Sequence, residues 1–359
     1  MDKRIVVKVG SNVLTREDGK LDVTRMSAIV DQIVWLKQQG YEVILVSSGA
    51  VAAGRAEHHV EHHLDSVEQR QLFSAIGQVK LIGLYYDLFR EYKIKIGQVL
   101  TMKENFGAEE QYKNQEACME VMLENGVLPI VNENDTVCIT ELMFTDNDEL
   151  SGLIASMLGM DALVILSNID GVYTGNPADP ASELIREIKP ESDLDGEAII
   201  SKSKSQYGRG GMETKFRIAR KVADEGIAVI IANGTRQNIL EHLILGDGSV
   251  PCTLFAPSSH PVSSVKKWIA HSEDFAKGEI HINEGAFKAL TSGEASSLLP
   301  VGVVAVEGNF EKDDIVRIVS PDGNAFAVGR TSYDSEEARG AMGKQGQKPI
   351  IHYDYLCIE

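Results

Sequence analysis

The sequence lacks several features that would place it in a specialised class of protein. No apolar run approaches about 18 residues, so no membrane-spanning helix is expected. Its four cysteines form no C-x-x-C pair and are spread along 359 residues, as reduced thiols usually are. The histidines within residues 57–64 have charged neighbours, which favours an exposed segment over a metal site. No signal peptide precedes the first strand-like segment, and we therefore expect a cytoplasmic protein with no membrane partner.

Basic residues are also in the minority. The sequence has 35 Lys and Arg against 53 Asp and Glu, which gives a formal net charge of −18. A surface of this sign repels polyanions, so nucleic acid is not expected as the main partner. A small anion would have to be bound by a local cluster of Lys and Arg. In length and composition the chain is otherwise an ordinary globular protein that is long enough for two domains.

The two commoner nucleotide-binding signatures, G-x-x-x-x-G-K-[ST] and a strand-linked G-x-G-x-x-G, are missing as well. The sequence has instead three glycines within residues 208–211, followed by a helical pattern over residues 212–225. Glycine N–H groups can approach an anion closely, and a helix N-terminus favours negative charge. A lysine is unfavourable in a first helical turn, so Lys215 indicates a bound anion there. A glycine loop that happens to precede a helix is the alternative, and this segment alone leaves it open.

Strand-like and helical patterns alternate through the first part of the chain. The predicted strands are residues 5–9, 43–46, 94–100, 127–131, 163–166 and 227–231, and the predicted helices are residues 26–37, 67–93, 109–125, 150–158 and 212–225. This order predicts an α/β three-layer sandwich in which helices cover both faces of a mostly parallel sheet.

The last part of the chain has a different pattern. Residues 247–264 are rich in Gly, Pro and Ser, which indicates a boundary between two domains. Short strands are predicted after it, at residues 301–306, 315–319 and 326–329, as in a small β-rich domain. We therefore predict a first domain over residues 1–256, a linker over residues 257–276 and a β-rich domain over residues 277–359.

Polar residues interrupt or end several of the predicted strands. Lys8 lies within an apolar segment, and a charged residue in a buried strand costs free energy unless it is paired. We interpret it as a functional lysine at the C-terminal end of a parallel strand; the alternative is an edge strand whose lysine points to solvent. The segment Ser47-Ser48-Gly49-Ala50 ends the next strand and suits a ligand contact, although a plain turn would also explain it.

Asn and Asp residues cluster after the strand 127–131, first at residues 132–135 and again at residues 145–148. This density exceeds what a turn requires, and carboxylates that converge at strand ends would otherwise repel one another. We therefore favour a functional role for both clusters.

Two lysines near a carboxylate suit phosphoryl transfer, because the transferred group carries negative charge and the reaction usually requires Mg²⁺. Lys8, Lys215 and Asp148 are the candidates. Asp148 would hold both lysines in place or bind the metal. Asp135 would pair with a substrate ammonium group, which points to an amino acid.

Five segments, residues 7–11, 47–50, 131–135, 146–148 and 210–215, resemble in this order the motifs of the amino acid kinase family. The C-terminal segment resembles the PUA domain at residues 278–280, 296–300 and 307–310. Each motif is loose by itself, but together they cover essentially the whole chain. The resemblance is to the members that use ATP to phosphorylate the γ-carboxylate of L-glutamate, giving L-glutamyl 5-phosphate in the first step of proline synthesis.

The resemblance implies a role for each matching residue. Lys8 and Lys215 would stabilise the transferring phosphoryl group, and Asp148 would organise them. ATP would contact Lys8, Gly10, Ser167, Asn168, Arg209, Gly210, Gly211, Met212, Glu213, Thr214 and Lys215. L-glutamate would contact Ser48, Gly49, Asn132, Asp135 and Asn147. It also implies Mg²⁺, a homo-oligomer (dimer or tetramer) and proline as a feedback inhibitor; no protein ligand for the metal is assigned.

The sequence departs from the family pattern at Met143, where members commonly carry a lysine, so one positive charge near the glutamate site is missing. Phosphorylation of acetylglutamate, aspartate or UMP remains an alternative, although a blocked amine would have no use for Asp135. An RNA-binding protein that acts through the PUA-like domain is a second alternative. Residues 277–359 contain 8 Lys and Arg against 13 Asp and Glu, which gives no overall basic surface for RNA.

Overall fold

The structure is a computed structural model, and it describes residues 3–137, 147–190, 211–246, 248–259, 264–292 and 295–358. It divides into two compact units. One is formed by Met1–Asn105 and Lys113–Pro261, and the other by Phe106–Tyr112 and Val262–Glu359. A search of the described helices finds none that is long and apolar enough to cross a membrane. The exact limits of the two predicted domains stay a prediction.

An eight-stranded sheet forms the centre of the first unit. Its strands, β1 to β8, are Arg4–Val9, Glu42–Ser47, Ile96–Thr101, Leu128–Glu133, Ala162–Ser167, Glu187–Ile188, Ala228–Asn233 and Cys252–Phe255. Their order is β3-β4-β2-β1-β5-β7-β8-β6, and β7 with β8 is the one antiparallel pair among these strands. The predicted mostly parallel sheet is therefore confirmed. Strand β8 lies inside residues 247–264, where the sequence indicated only a boundary.

Helices cover both faces of this sheet. They are Ser11–Leu14, Val23–Gln38, Ala50–Glu57, Ser66–Glu91, Glu104–Gly107, Glu109–Glu124, Asn147–Met157, Gly211–Asp224 and Ile239–Leu245, numbered α1 to α9. Val7 and Val9 of β1 share a core with Ile29 of α2 and Tyr85 of α4. Successive side chains of a strand point to opposite faces. Lys8 therefore points to the other face, which α7 covers, and the three-layer α/β fold is confirmed.

The close packing of α3 on α4 fixes the start of α3 near the end of β2. A Cβ added to Gly77 of α4 would overlap the carbonyl oxygen of Ala50, and one added to Gly54 of α3 would overlap that of Phe73. The two backbones are therefore in direct contact, which only glycine permits. The start of α4 is fixed in turn by Asp65, whose side chain accepts hydrogen bonds from two backbone N–H groups of the first turn.

The second unit contains a five-stranded sheet, which confirms the predicted β-rich C-terminal part. Its strands, β9 to β13, are Gly278–Ile282, Val303–Gly308, Ile315–Val319, Ala325–Arg330 and Leu356–Ile358, in the order β10-β9-β11-β12-β13. The helices Ser264–Ala270, Glu284–Thr291 and Ser335–Ala341, α10 to α12, accompany it. The indole N–H of Trp268 donates to the carbonyl oxygen of Phe106 at 2.9 Å, which ties Phe106–Tyr112 into this unit.

Candidate active site

Polar side chains gather at the carboxyl ends of the central strands of the first unit. Strand β1 pairs with β2 on one side and with β5 on the other, so the chain order reverses at β1. In open α/β sheets such a reversal leaves a crevice beyond the strand ends, where ligands bind. Lys8, Ser48, Asn132 and Ser167 all lie at or just beyond the carboxyl ends of these strands.

Lys8 lies in the middle of the sheet, so the alternative of an edge strand is wrong. The residue is only 4% exposed. Its Nζ forms an ion pair with Oδ1 of Asp148, the second residue of α7. The free energy cost of burying this lysine is therefore offset by a buried carboxylate.

Asp148 also pairs with Lys215, and the three residues form the charged centre of the site. Nζ of Lys215 lies 2.6 Å from Oδ2 of Asp148 and 3.2 Å from the carbonyl oxygen of Gly211. Burial alone would raise the pKa of Asp148, but the charges and hydrogen bonds of the two lysines outweigh burial and hold that pKa below its ordinary value. Two cations on one carboxylate leave one net positive charge, which suits an anionic group.

A cavity of about 620 Å³ lies at the strand ends of the first unit. All five residues predicted to bind the substrate line it: Ser48, Gly49, Asn132, Asp135 and Asn147. Nδ2 of Asn147 donates to Oγ of Ser48 and to Oδ1 of Asn132, at 2.9 Å each. These bonds join α7 to the ends of β2 and β4. Because Asn147 directly precedes Asp148, they also tie the cavity lining to the charged centre.

Gly49 begins helix α3 at the edge of this cavity. Its φ of +107° is strained for any residue with a Cβ, so glycine is required there. Ala50, Val51 and Ala52 of the first turn of α3 also line the cavity. The first N–H groups of a helix have no intrahelical partner and favour a negatively charged group. The start of α3 therefore offers a place for a substrate carboxylate.

Four charged residues of the cavity were absent from the predicted site: Asp18, Arg55, Arg70 and Glu133. Nε of Arg70 donates to Oδ1 of Asp135, and Nη2 donates to Oε2 of Glu133, each at 2.6 Å. Arg70 belongs to α4, whose sequence carries charged residues at several positions. Only the tertiary structure shows which of these charges faces the cavity.

Of the residues predicted to bind ATP, those that the structure describes lie at the ends of β1 and β5 and at the start of α8. The backbone N–H of Gly10 donates to the carbonyl oxygen of Leu166 at 3.1 Å, which joins the ends of β1 and β5. Ser167 is buried, and its Oγ lies 3.4 Å from Oδ1 of Asn168. The helix predicted over residues 212–225 is observed as Gly211–Asp224, with Met212, Glu213 and Thr214 at its start. Arg209, Gly210 and Met143 lie outside the described residues.

The arrangement of Asp148 bears on where a metal ion would bind. Both of its oxygens are within ion-pair distance of a lysine, so in this structure it holds the two lysines. Among the described residues, Glu279, His281 and Glu307 lie close enough together to share a metal ion. They belong to β9 and β10 of the second unit and do not identify a Mg²⁺ ligand for a site built from the first unit.

Comparison with known proteins identifies the family of this chain. Residues 3–233 match the model of the amino acid kinase family. The chain belongs to this family. Its C-terminal part, residues 278–353, matches the model of the PUA domain. As a kinase of this family, the protein uses ATP as its co-substrate.

Two curated relatives match this family member over its whole length. Glutamate 5-kinase of Bacteroides thetaiotaomicron is 65% identical over 356 residues, which cover 99% of this chain and 98% of the relative. Glutamate 5-kinase of Chlorobaculum tepidum is 49% identical over 361 residues, which cover 99% of this chain and 97% of the relative. The similarity therefore includes both units of the structure.

Two solved kinase structures are similar in fold to this chain. Isopentenyl phosphate kinase matches with a TM-score of 0.51 at 20% identity, over 70% of this chain and 100% of that chain. Carbamate kinase from Giardia lamblia bound to AMP-PNP matches with a TM-score of 0.51 at 17% identity, over 71% of this chain and 99% of that chain. At these identities the likeness shows a common fold.

Proposed function

We propose that this protein transfers a phosphoryl group from ATP to the γ-carboxylate of L-glutamate and forms L-glutamyl 5-phosphate, the first reaction of proline synthesis. The observation that carries the proposal is the buried Asp148 between Lys8 and Lys215, tied through Asn147 to a polar cavity. The full-length similarity to two proteins named glutamate 5-kinase supports the choice of substrate.

In the proposed reaction an oxygen of the γ-carboxylate attacks the γ-phosphorus of ATP, and the bond between that phosphorus and ADP breaks. Negative charge spreads over the oxygens of the transferring group in the transition state. Lys8 and Lys215 stabilise this charge, and Asp148 keeps both ammonium groups in position. Because ion pairs within the chain itself hold these groups, they need little reorganisation during the reaction.

The cavity supplies the groups that glutamate needs. Asp135 pairs with the α-ammonium group, and the start of α3 near Gly49 receives a carboxylate. Ser48, Asn132 and Asn147 are linked by hydrogen bonds and orient the substrate beside the lysines. An N-acetylated substrate would carry no charge to pair with Asp135, which favours free L-glutamate.

ATP is assigned to the ends of β1 and β5 and to the start of α8. Gly10, Ser167 and Asn168 contact it, and residues 211–215 at the N-terminus of α8 receive its phosphates. Arg209 and Gly210 are assigned to ATP by the family resemblance alone. Mg²⁺ offsets part of the charge of the phosphates when it is bound. We also propose a cytoplasmic homo-oligomer, a dimer or tetramer, that proline inhibits; the oligomer and the inhibition rest on the family resemblance.

The proposal is tested by incubating the protein with ATP, Mg²⁺ and L-glutamate and trapping the acyl phosphate with hydroxylamine. Parallel reactions contain N-acetylglutamate, aspartate or UMP, and ADP release is measured in each because hydroxylamine does not trap phosphorylated UMP. We expect hydroxamate from L-glutamate alone. Product from N-acetylglutamate or UMP instead would remove the role of Asp135. No turnover together with tight RNA binding at moderate salt would overturn the proposal and favour a function of the PUA domain.

A further inference from the structure

Arg70 connects two acidic residues of the substrate cavity. It belongs to α4, whereas Glu133 is the last residue of β4 and Asp135 follows two positions later. The guanidinium group donates one hydrogen bond to each carboxylate, and both donor–acceptor distances are 2.6 Å. All three residues line the cavity. The contact therefore spans two elements and places a cation in the part of the cavity assigned to the substrate ammonium group.

The side chains of Arg70, Glu133 and Asp135 differ in exposure, and their charges do not cancel. The Glu133 side chain is 4% exposed and the Asp135 side chain is 8% exposed, whereas that of Arg70 is 34% exposed. A buried carboxylate is costly unless a partner compensates it. Among these three side chains, one guanidinium against two carboxylates gives a net charge of −1. A substrate group with one positive charge, such as an ammonium, would neutralise the net charge of these three side chains.

We propose that Arg70 is a specificity-determining residue that offsets the charge of Glu133, so that the substrate ammonium group meets the charge of one carboxylate. In addition, its bond to Oδ1 holds the Asp135 side chain in a fixed orientation. This inference rests on the proposed function, because the ammonium group is that of L-glutamate. A competing role, in which Arg70 itself binds a carboxylate of the substrate, predicts a different result for a double variant.

The test compares Arg70→Met, Arg70→Lys and the double variant Arg70→Met with Glu133→Gln. Arg70→Met removes the guanidinium from Glu133 and Asp135, which makes the cavity more negative toward the carboxylates of L-glutamate and leaves the Asp135 side chain without its bond to Arg70. We therefore expect the KM for L-glutamate to rise about tenfold or more while the KM for ATP changes less than about twofold. Adding Glu133→Gln restores one net negative charge and should return the glutamate KM to within about threefold of the wild type. Arg70→Lys retains the charge and should raise this KM less than Arg70→Met does.

Arg90→Met is the matched control, because Arg90 lies on the same helix, is exposed and pairs with Asp87. It should leave both KM values unchanged, and thermal unfolding of every variant reports whether it is folded. A glutamate KM within about twofold of the wild type in Arg70→Met would overturn the inference. A double variant as impaired as Arg70→Met would also overturn it, in favour of direct contact with a substrate carboxylate. Wild-type protein that forms no hydroxamate from L-glutamate would instead overturn the proposed function, and this inference with it.

Discussion

Nζ of Lys215 lies 2.6 Å from Oδ2 of Asp148, so the N-terminal part of α8 is paired with the first turn of α7. A lysine is unfavourable at a helix N-terminus, and the sequence alone led us to infer a bound anion there. The structure shows that a buried carboxylate of the chain itself provides a negative partner. Asp148 is favourably placed in this respect, because it lies at the N-terminus of its own helix.

We expect Lys215→Ala to lower kcat by about 100-fold or more, comparable to the removal of one oxyanion-hole donor. The KM for L-glutamate should change little, because the residue is assigned to the transferring phosphoryl group. Steady-state hydroxamate assays measure both constants. Arg217→Ala, an exposed cation of the same helix, serves as the control and should be close to wild type. A loss of less than about threefold in Lys215→Ala would contradict the assigned role.

The ion pairs of Asp148 predict how stability depends on pH. Its pKa in the folded protein is held below the ordinary value, so the ionised form is favoured by folding. This contribution is fully present above the unfolded pKa of about 4, and it is lost as the pH falls through the lower folded pKa. The variant Asp148→Asn lacks this contribution to stability and removes the carboxylate that Lys8 and Lys215 share. At neutral pH we expect this variant to be less stable by about 3 kcal/mol.

Urea unfolding at a series of pH values measures this difference. The free energy gap between wild type and Asp148→Asn should be constant above about pH 5 and should shrink at more acidic pH. A gap that stays the same down to about pH 2 would show that the stability of the wild type does not depend on ionised Asp148.

Asn147→Ala removes the hydrogen bonds to Ser48 and Asn132 that join three elements of the cavity. We expect the KM for L-glutamate to rise about tenfold, because two polar partners lose their donor and the substrate is held less firmly. The KM for ATP should stay within about twofold. Asn125→Ala, at the exposed end of α6, is the control and should leave both constants unchanged. Equal rises in both KM values would argue against a role confined to the glutamate cavity.

The polar site residues at the strand ends could be predicted from the sequence, because each of them stands out against a strong local pattern. Lys8 breaks an apolar strand, and Asn147 and Asp148 belong to a dense polar cluster after another strand. Arg70 could not be found in this way, because a charged residue on a long helix is ordinary and its contact with Asp135 is made only in three dimensions. Strand β8 was missed for a similar reason. Its four residues are too short to show a period, and the pairing with β7 is what defines it.

The contact between α3 and α4 predicts opposite effects for two glycines of the same helix. A Cβ at Gly77 would overlap the carbonyl oxygen of Ala50, whereas a Cβ at Gly83 would meet no atom within 4 Å. Gly77→Ala should therefore lower the free energy of unfolding by roughly 3 kcal/mol, since the backbone of α3 must move to make room. Gly83→Ala should raise it by about 0.5–1 kcal/mol, because alanine loses less conformational entropy than glycine in a helix.

Activity should separate the two variants as well. The first turn of α3 lines the cavity, so its displacement in Gly77→Ala should raise the KM for L-glutamate more than the KM for ATP. Gly83→Ala should leave both constants at the wild-type values. Urea unfolding together with steady-state assays of both variants provides the comparison. If the two variants were equally stable, the close approach of α3 to α4 would not be what holds the start of α3 at the cavity.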